Sequence, residues 1–368
     1  MNSAKMHYSG KRARSVWAVA LVAGLMLLPA CATANGTGGA GAGQNPAGGA
    51  AGPASVGLLN DYSLPKVDKP AKRYKIFVVQ AHQTDAFAQS SAAAIKQQGE
   101  DLGVDVTVLD AGGYTEVQKQ ISQIQAATAQ KPDAIVVWST DPTAIVPALK
   151  EAERGGAKIY GWIQPPTMDS LVATVNSDYT SDAKAYSKAL FDYIGGSGEV
   201  MAAFGACASQ YYTDLHKGME AALAEYPNIK LVTDECSPDF DPSKTETLVS
   251  NTLTSHPELK GVVTSLVQQA VGAVTAAQTA GKSGQVTAVG EALADCGQIQ
   301  LLKQGQLPII AGLPAVYFGQ LMMSTVVQSL EGQPVEKQQI VPSNVYTKEN
   351  IDKAPLNLEL ADNFRNGC

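Results

Sequence analysis

The chain has 368 residues, with 27 Lys and Arg against 34 Asp and Glu and a formal charge of −7. An acidic balance argues against nucleic-acid binding, because phosphate contacts require an excess of Lys and Arg. About 340 residues follow the first thirty, enough for two α/β domains with cores of their own.

Lys5, Lys11, Arg12 and Arg14 precede an apolar run from Val16 to Leu28 that is short for a bilayer span, so residues 1–30 read as a signal peptide. Its removal takes four cations with it and changes the charge from −7 to −11. Two cleavage patterns overlap. Leu28-Pro29-Ala30-Cys31 has the form of a lipoprotein box with lipidation at Cys31, and Ala32-Thr33-Ala34 suits ordinary signal peptidase. Asn35 to Ala54 is nearly all Gly, Ala, Asn and Pro and cannot bury enough surface to fold. Residues 31–71 therefore read as a tether, which favours the lipid anchor. Gly36-Thr37-Gly38-Gly39-Ala40-Gly41 matches GxGxxG inside this tether, but no strand precedes it, so it is composition and not a dinucleotide site.

From Tyr74 onward, short β-branched runs alternate with amphipathic ones. Strands are expected at Lys75 to Gln80, Val104 to Asp110, Ala134 to Trp138, Ile159 to Ile163 and Val172 to Asn176. The intervening helices run Ala86 to Leu102, Tyr114 to Gln130 and Pro142 to Arg154. The rhythm restarts after a helix at Ser181 to Ile194. Strands follow at Glu199 to Gly205, Lys230 to Asp234, Gly261 to Ser265, Val286 to Gly290 and Pro308 to Ala311. A helix at Val316 to Leu330 and one last strand at Gln338 to Val345 close the pattern. Continuous apolar strands separated by helices call for parallel sheets covered on both faces. The strands are too many for one sheet, so the fold class is α/β, with two doubly wound, Rossmann-like lobes in tandem. The expected layout is an N-terminal lobe of 72–177 plus 314–338, a C-terminal lobe of 178–313 plus 339–352, and a tail at 353–368. Three crossings, near Asn176 to Tyr179, Ala311 to Pro314 and Gln339 to Pro342, form the hinge.

Four cysteines remain beyond Cys31. An even number in an exported chain suggests disulfides. If the strands ending near Cys207 and Cys236 are neighbours their sulfurs meet, which leaves Cys296 with Cys368; free thiols are the alternative. There is no CxxC pair, and His82, His216 and His256 lie far apart in the chain. Neither a metal, nor a cofactor, nor a catalytic constellation is therefore expected.

Ser255-His256-Pro257-Glu258-Leu259-Lys260-Gly261-Val262, Ala277 to Lys282, and Lys303-Gln304-Gly305-Gln306-Leu307 stand in the order and spacing of a known clan. Over Tyr74 to Asp352 the chain resembles the type I periplasmic binding proteins, the clan of ribose-binding proteins. Val108-Leu109-Asp110-Ala111-Gly112-Gly113-Tyr114, with His82, Asp85 and Asp141-Pro142, is similar to one subgroup, the periplasmic partners of trimethylamine-N-oxide sensor kinases. The resemblance implies a clamshell that binds a small solute between its lobes and lacks enzymatic activity. It departs from the sugar binders: Gln164-Pro165-Pro166 stands where an Asp-Arg pair is expected, and Glu291-Ala292 offers no Asp in the sugar-gripping place.

Ligands of open parallel sheets sit beyond the C-terminal strand ends. The candidates there are His82, Thr84, Asp85, Phe87, Tyr114, Asp141, Trp162 and Gln164 in the first lobe. Asp178 lies at the first crossing, and Gln210, Tyr211, Asp239, Phe240, Gln268 and Glu291 belong to the second lobe. The resemblance makes Phe87 a stacking wall and turns Asp239 toward the cleft. Plainer roles compete: Asp85 and Asp141 precede helices as N-caps do, and Phe87 and Trp162 suit a core. Rings with a few carboxylates suit a methylated amine or N-oxide better than a sugar or polyol. The expected partner is an ABC permease, with a membrane sensor histidine kinase as the alternative, and the expected state is a monomer.

Overall fold

The computed structural model describes residues 62–365 and Cys368. The expected signal peptide, Cys31 and most of the tether lie outside the described residues.

The first lobe runs β1 (Lys75–Gln80), α1 (Ala86–Leu102), β2 (Asp105–Asp110), α2 (Val117–Ala129), β3 (Ala134–Val137), α3 (Val146–Arg154), β4 (Lys158–Trp162) and β5 (Thr174–Asn176). The second holds α4 (Tyr179–Tyr193), β6 (Gly198–Phe204), α5 (Gln210–Leu223), β7 (Ile229–Cys236), α6 (Pro242–Ser255), β8 (Leu259–Leu266), α7 (Val267–Thr279), β9 (Thr287–Glu291), α8 (Cys296–Lys303) and β10 (Ile310–Gly312). The chain then returns through α9 (Ala315–Leu330) and β11 (Gln338–Ile340) before β12 (Asn344–Tyr346) and a short α10 (Leu356–Glu359).

The two sheets have the same plan, β2-β1-β3-β4-β5-β11 and β7-β6-β8-β9-β10-β12. All neighbours run parallel except β10 and β12. Helices cover both faces, so the central strands carry no alternation: β1 is buried at five of its six positions and β3 at all four. In each sheet the strand order reverses beside the first strand, which opens a crevice at the C-terminal ends.

Two expected boundaries move. The run Gln338 to Val345 is two strands, because Val341-Pro342-Ser343 crosses from the first sheet to the second and Pro342 has no N–H for a ladder. The third crossing thus follows Ile340, and β11 belongs to the first lobe. The tether also ends earlier than residue 71. Tyr62, Leu64 and Val67 pack on the core, the rings of Tyr62 and Tyr317 stand 5.1 Å apart, and Asn344 Nδ2 donates to Tyr62 Oη at 2.7 Å. At the other end, the expected tail is packed structure: Glu359 and Leu360 are fully buried, Tyr346 Oη donates to Glu359, and Ala361 N donates to Ser90 Oγ of the first lobe at 3.2 Å.

Asp182, on the first turn of α4, fastens two of the three crossings. It accepts from Ser343 Oγ at 2.6 Å and lies 2.5 Å from Ser177 Oγ, which also stands 2.7 Å from Val341 O. Ser177 has one hydroxyl hydrogen for two acceptors. A proton on Asp182 resolves the conflict: the carboxyl donates to Ser177, which donates to Val341. Burial pushes Asp182 up to about 6, against the pull of both serines. A carboxyl raised on folding contributes stability that is complete below its unfolded value and lost as pH rises through its folded one. Stability is therefore expected to fall as pH climbs from about 4 to about 6. Asp182→Asn, which mimics the protonated form, should match the wild type in urea unfolding at about pH 3, below the unfolded value, and exceed it by up to about 3 kcal/mol at pH 8.

Candidate ligand cleft

The residues that follow nearly every strand converge on one point between the lobes. His82, Asp85 and Phe87 follow β1, Tyr114 follows β2, Trp138 follows β3, and Ile163 and Gln164 follow β4. From the other side come Tyr179 at the start of α4, Tyr211 in α5, Phe240 after β7, Leu266 at the end of β8 and Ala292 after β9, with Leu313 at the second crossing. In this closed arrangement they surround a cavity of about 30 Å³, enough for about two ordered waters. Its lining is dominated by rings. His82 lies edge-on to Trp138 at 4.7 Å and to Tyr114 at 5.1 Å, and Tyr179 lies edge-on to Tyr211 at 4.9 Å.

The polar groups are few and mostly committed. Asp85 accepts from Ala88 N at 2.8 Å as the N-cap of α1, so the cap and cleft roles coincide in one carboxylate. Thr84 Oγ1 is 3.1 Å from His82 Nδ1, while His82 Nε2 is buried with no partner among the described residues. Burial lowers the His82 pKa against the opposing charges of Asp85 and Asp110, so the ring is neutral at pH 7. Tyr211 Oη donates to Glu291 at 2.7 Å, and burial holds the Glu291 carboxyl well above the usual carboxylate range. Asp85 is thus the one acidic residue on the lining. Ile163 and Ala292 adopt left-handed backbone, φ 58° and 62°, at strand ends on the cavity wall. For a β-branched residue such as Ile163 this costs on the order of 1–3 kcal/mol, a strain characteristic of sites that orient a side chain.

Seven of the fifteen expected residues line the cavity: His82, Asp85, Phe87, Tyr114, Gln164, Tyr211 and Phe240. Eight do not, each for a local reason. Thr84 supports His82, and Asp141 caps the turn at Thr143 N and Ala144 N. Trp162 points into the core and packs on Trp138 at 6.1 Å. Asp178 is the N-cap of α4, and Gln210 bonds Asp214 one turn on. Asp239 faces solvent in an ion pair with Lys244 at 2.5 Å, so the cleft orientation implied by the resemblance does not hold. Gln268 buttresses Phe240 through its carbonyl at 2.9 Å, and Glu291 stands behind Tyr211. Trp138, Ile163, Tyr179, Leu266, Ala292 and Leu313 are the lining residues that the sequence reading missed. Except for Tyr179, which opens α4, their common signal is position, at the last residue of a strand or the first residue after it.

Both cysteine pairs come together: Cys207 and Cys236 with Cα atoms 5.7 Å apart on neighbouring strand ends, and Cys296 and Cys368 at 5.0 Å. No cluster of His, Cys, Asp and Glu able to hold a metal occurs among the described residues, and no helix among them is long and apolar enough to cross a membrane.

The family described as the periplasmic binding protein domain matches residues 76–334, more than half of the chain and nearly all of both lobes. The chain belongs to that family. A putative rhizopine-binding protein of Rhizobium meliloti is 25% identical over 256 residues, covering 68% of this chain and 82% of that protein. The ribose import binding protein of Escherichia coli (strain K12) is 24% identical over 188 residues, 51% of this chain and 62% of that one. An ABC transporter periplasmic solute binding protein from Actinobacillus succinogenes 130z, solved with bound D-allose, superposes with a TM-score of 0.72 at 22% identity, over 77% of this chain and all of that one. The expected two-lobed fold and the solute-binding class stand on this agreement. The relatives named here are binding proteins.

Tyr211→Phe keeps the ring but strips Glu291 of its donor, leaving both carboxyl oxygens buried without a partner. It is expected to cost about 1–3 kcal/mol in chemical denaturation at pH 7, with Glu291→Gln in the same background restoring none of it.

Proposed function

We propose that this protein is an extracytoplasmic solute receptor that closes over a compact methylated ammonium or N-oxide group and delivers it to the permease of an ABC importer. The observation that carries this reading is the lining: seven rings with a single acidic residue, Asp85. A sugar or polyol needs several free, directional hydrogen-bond partners. Here Tyr211, Asp85 and Glu291 are already bonded within the protein. A methylated cation needs the reverse, faces of rings and a nearby negative charge, each ring contributing about 0.5–2 kcal/mol. The unpartnered His82 Nε2 is available for one polar contact to the headgroup. The small cavity favours a compact ligand, admitted by movement about the three crossings and held as the lobes return.

Relatives named for ribose, D-apiose, xylitol and rhizopine support a second reading, a sugar or polyol receptor of the same fold. A partnership with a membrane histidine kinase remains the alternative to transport, as the subgroup resemblance implies. The leader, Cys31 and the Gly/Ala-rich stretch support a lipid-anchored protein outside the cytoplasm. In that oxidising setting the two cysteine pairs are disulfides, whose reduction should lower the melting temperature.

A thermal-shift screen of refolded, ligand-stripped protein separates the two ligand classes. Methylated amines or N-oxides at a hundred times their dissociation constant should add about 2.7 kcal/mol of stability. Phe87→Ala and Trp138→Ala should each weaken that binding about tenfold. Shifts from pentoses or polyols alone would overturn the ammonium reading in favour of the second one.

A further inference from the structure

We propose that Gln164 is a latch between the lobes, closing the cleft through its own carboxamide whether or not solute is bound. The loop after β4 turns at Ile163 with φ 58°, and Gln164 is 5% exposed in the seam between the lobes. In the amide orientation that satisfies both of its ends, Nε2 donates to Ser139 O of the first lobe at 3.0 Å. The amide oxygen accepts from the backbone N–H groups of Gln210 and Tyr211 in the second lobe, both at 3.1 Å. Those two groups open α5, where the first N–H groups have no partner within the helix. The N-cap Ser209 serves Tyr212 N, so Gln164 takes up the two donors that the cap leaves. Ser139 N donates to Gln164 O at 2.9 Å and fixes the base of the latch on the first lobe. Tyr179 Oη, from the second lobe, reaches Ile163 O at 3.4 Å.

These contacts join the two lobes without any ligand atom. In a clamshell whose closure depends on solute, the solute itself carries the polar bridge between lobes. Here a side chain of the protein carries it, and the solute is left to fill the ring-lined space. The latch shifts the unliganded protein toward the closed state and slows escape of a bound solute, since both follow from the same closing equilibrium. The kinetic half of this proposal rests on the solute-receptor reading; the conformational half does not.

The test uses full-length exported protein with spin labels attached through non-canonical amino acids at the exposed positions Gln118 and Ser243, one on each lobe. Without solute, the wild type should show mainly the short interlobe distance, and Gln164→Ala should move most molecules to a longer one. Gln164→Glu keeps the acceptor for both helix N–H groups and should stay mainly closed, which guards against a misfolded alanine variant. Lys150→Ala, on the exposed face of α3 and away from the cleft, should leave the unliganded distance unchanged. With a binding solute in hand, dissociation from Gln164→Ala should be about tenfold faster. Identical distances in wild type and Gln164→Ala would overturn the latch. Because they are read without solute, that result is separate from any failure to find a ligand.

Discussion

Parallel pairing is the constraint on which the rest of this structure depends. With every neighbouring pair except β10 and β12 running the same way, the loops that follow the strands emerge on one edge of each sheet. The strand-order reversal opens a crevice in that edge, and the crossings turn the two crevices toward each other. His82, Tyr114, Trp138 and Gln164 meet Tyr211, Phe240 and Ala292 for that reason. They come from distant parts of the chain and share only their place beyond a strand.

The crossings are fastened by a few specific polar contacts. Asp182 ties the first to the third through Ser177 and Ser343, and its raised pKa follows from holding a carboxyl where water is excluded. Both ends of the described chain add further ties: Tyr62 reaches Asn344, and the segment after α10 reaches Ser90 on the opposite lobe. These polar contacts stand beside an apolar cluster that runs through both lobes.

Around the cleft, polar chemistry is spent on the protein itself. Asp85 caps a helix, Tyr211 serves Glu291, and Gln164 serves the start of α5. What remains facing the cavity is mainly ring surface. Glu291 is withdrawn behind a tyrosine, and Gln164 is turned toward the other lobe.

The sequence by itself determined the lobes, most strand positions, the first two crossings and the family, because buried parallel strands leave uninterrupted β-branched runs and a lobe repeats its rhythm. It also placed seven of the cavity residues, through the rule that ligands sit beyond strand ends. It could not choose among neighbours there. Asp85 and Asp141 are alike in sequence, each before a helix, yet one reaches the cavity and the other only caps a turn. Trp138 and Trp162 both stand at strand ends, one just past β3 and the other the last residue of β4, and only the first faces the cleft. A strand buried on both faces has no alternation to say which way its last side chain points. Only the tertiary structure decided those directions, the split of the last strand at Pro342 and the partner of Gln164, because each depends on what the opposite lobe presents.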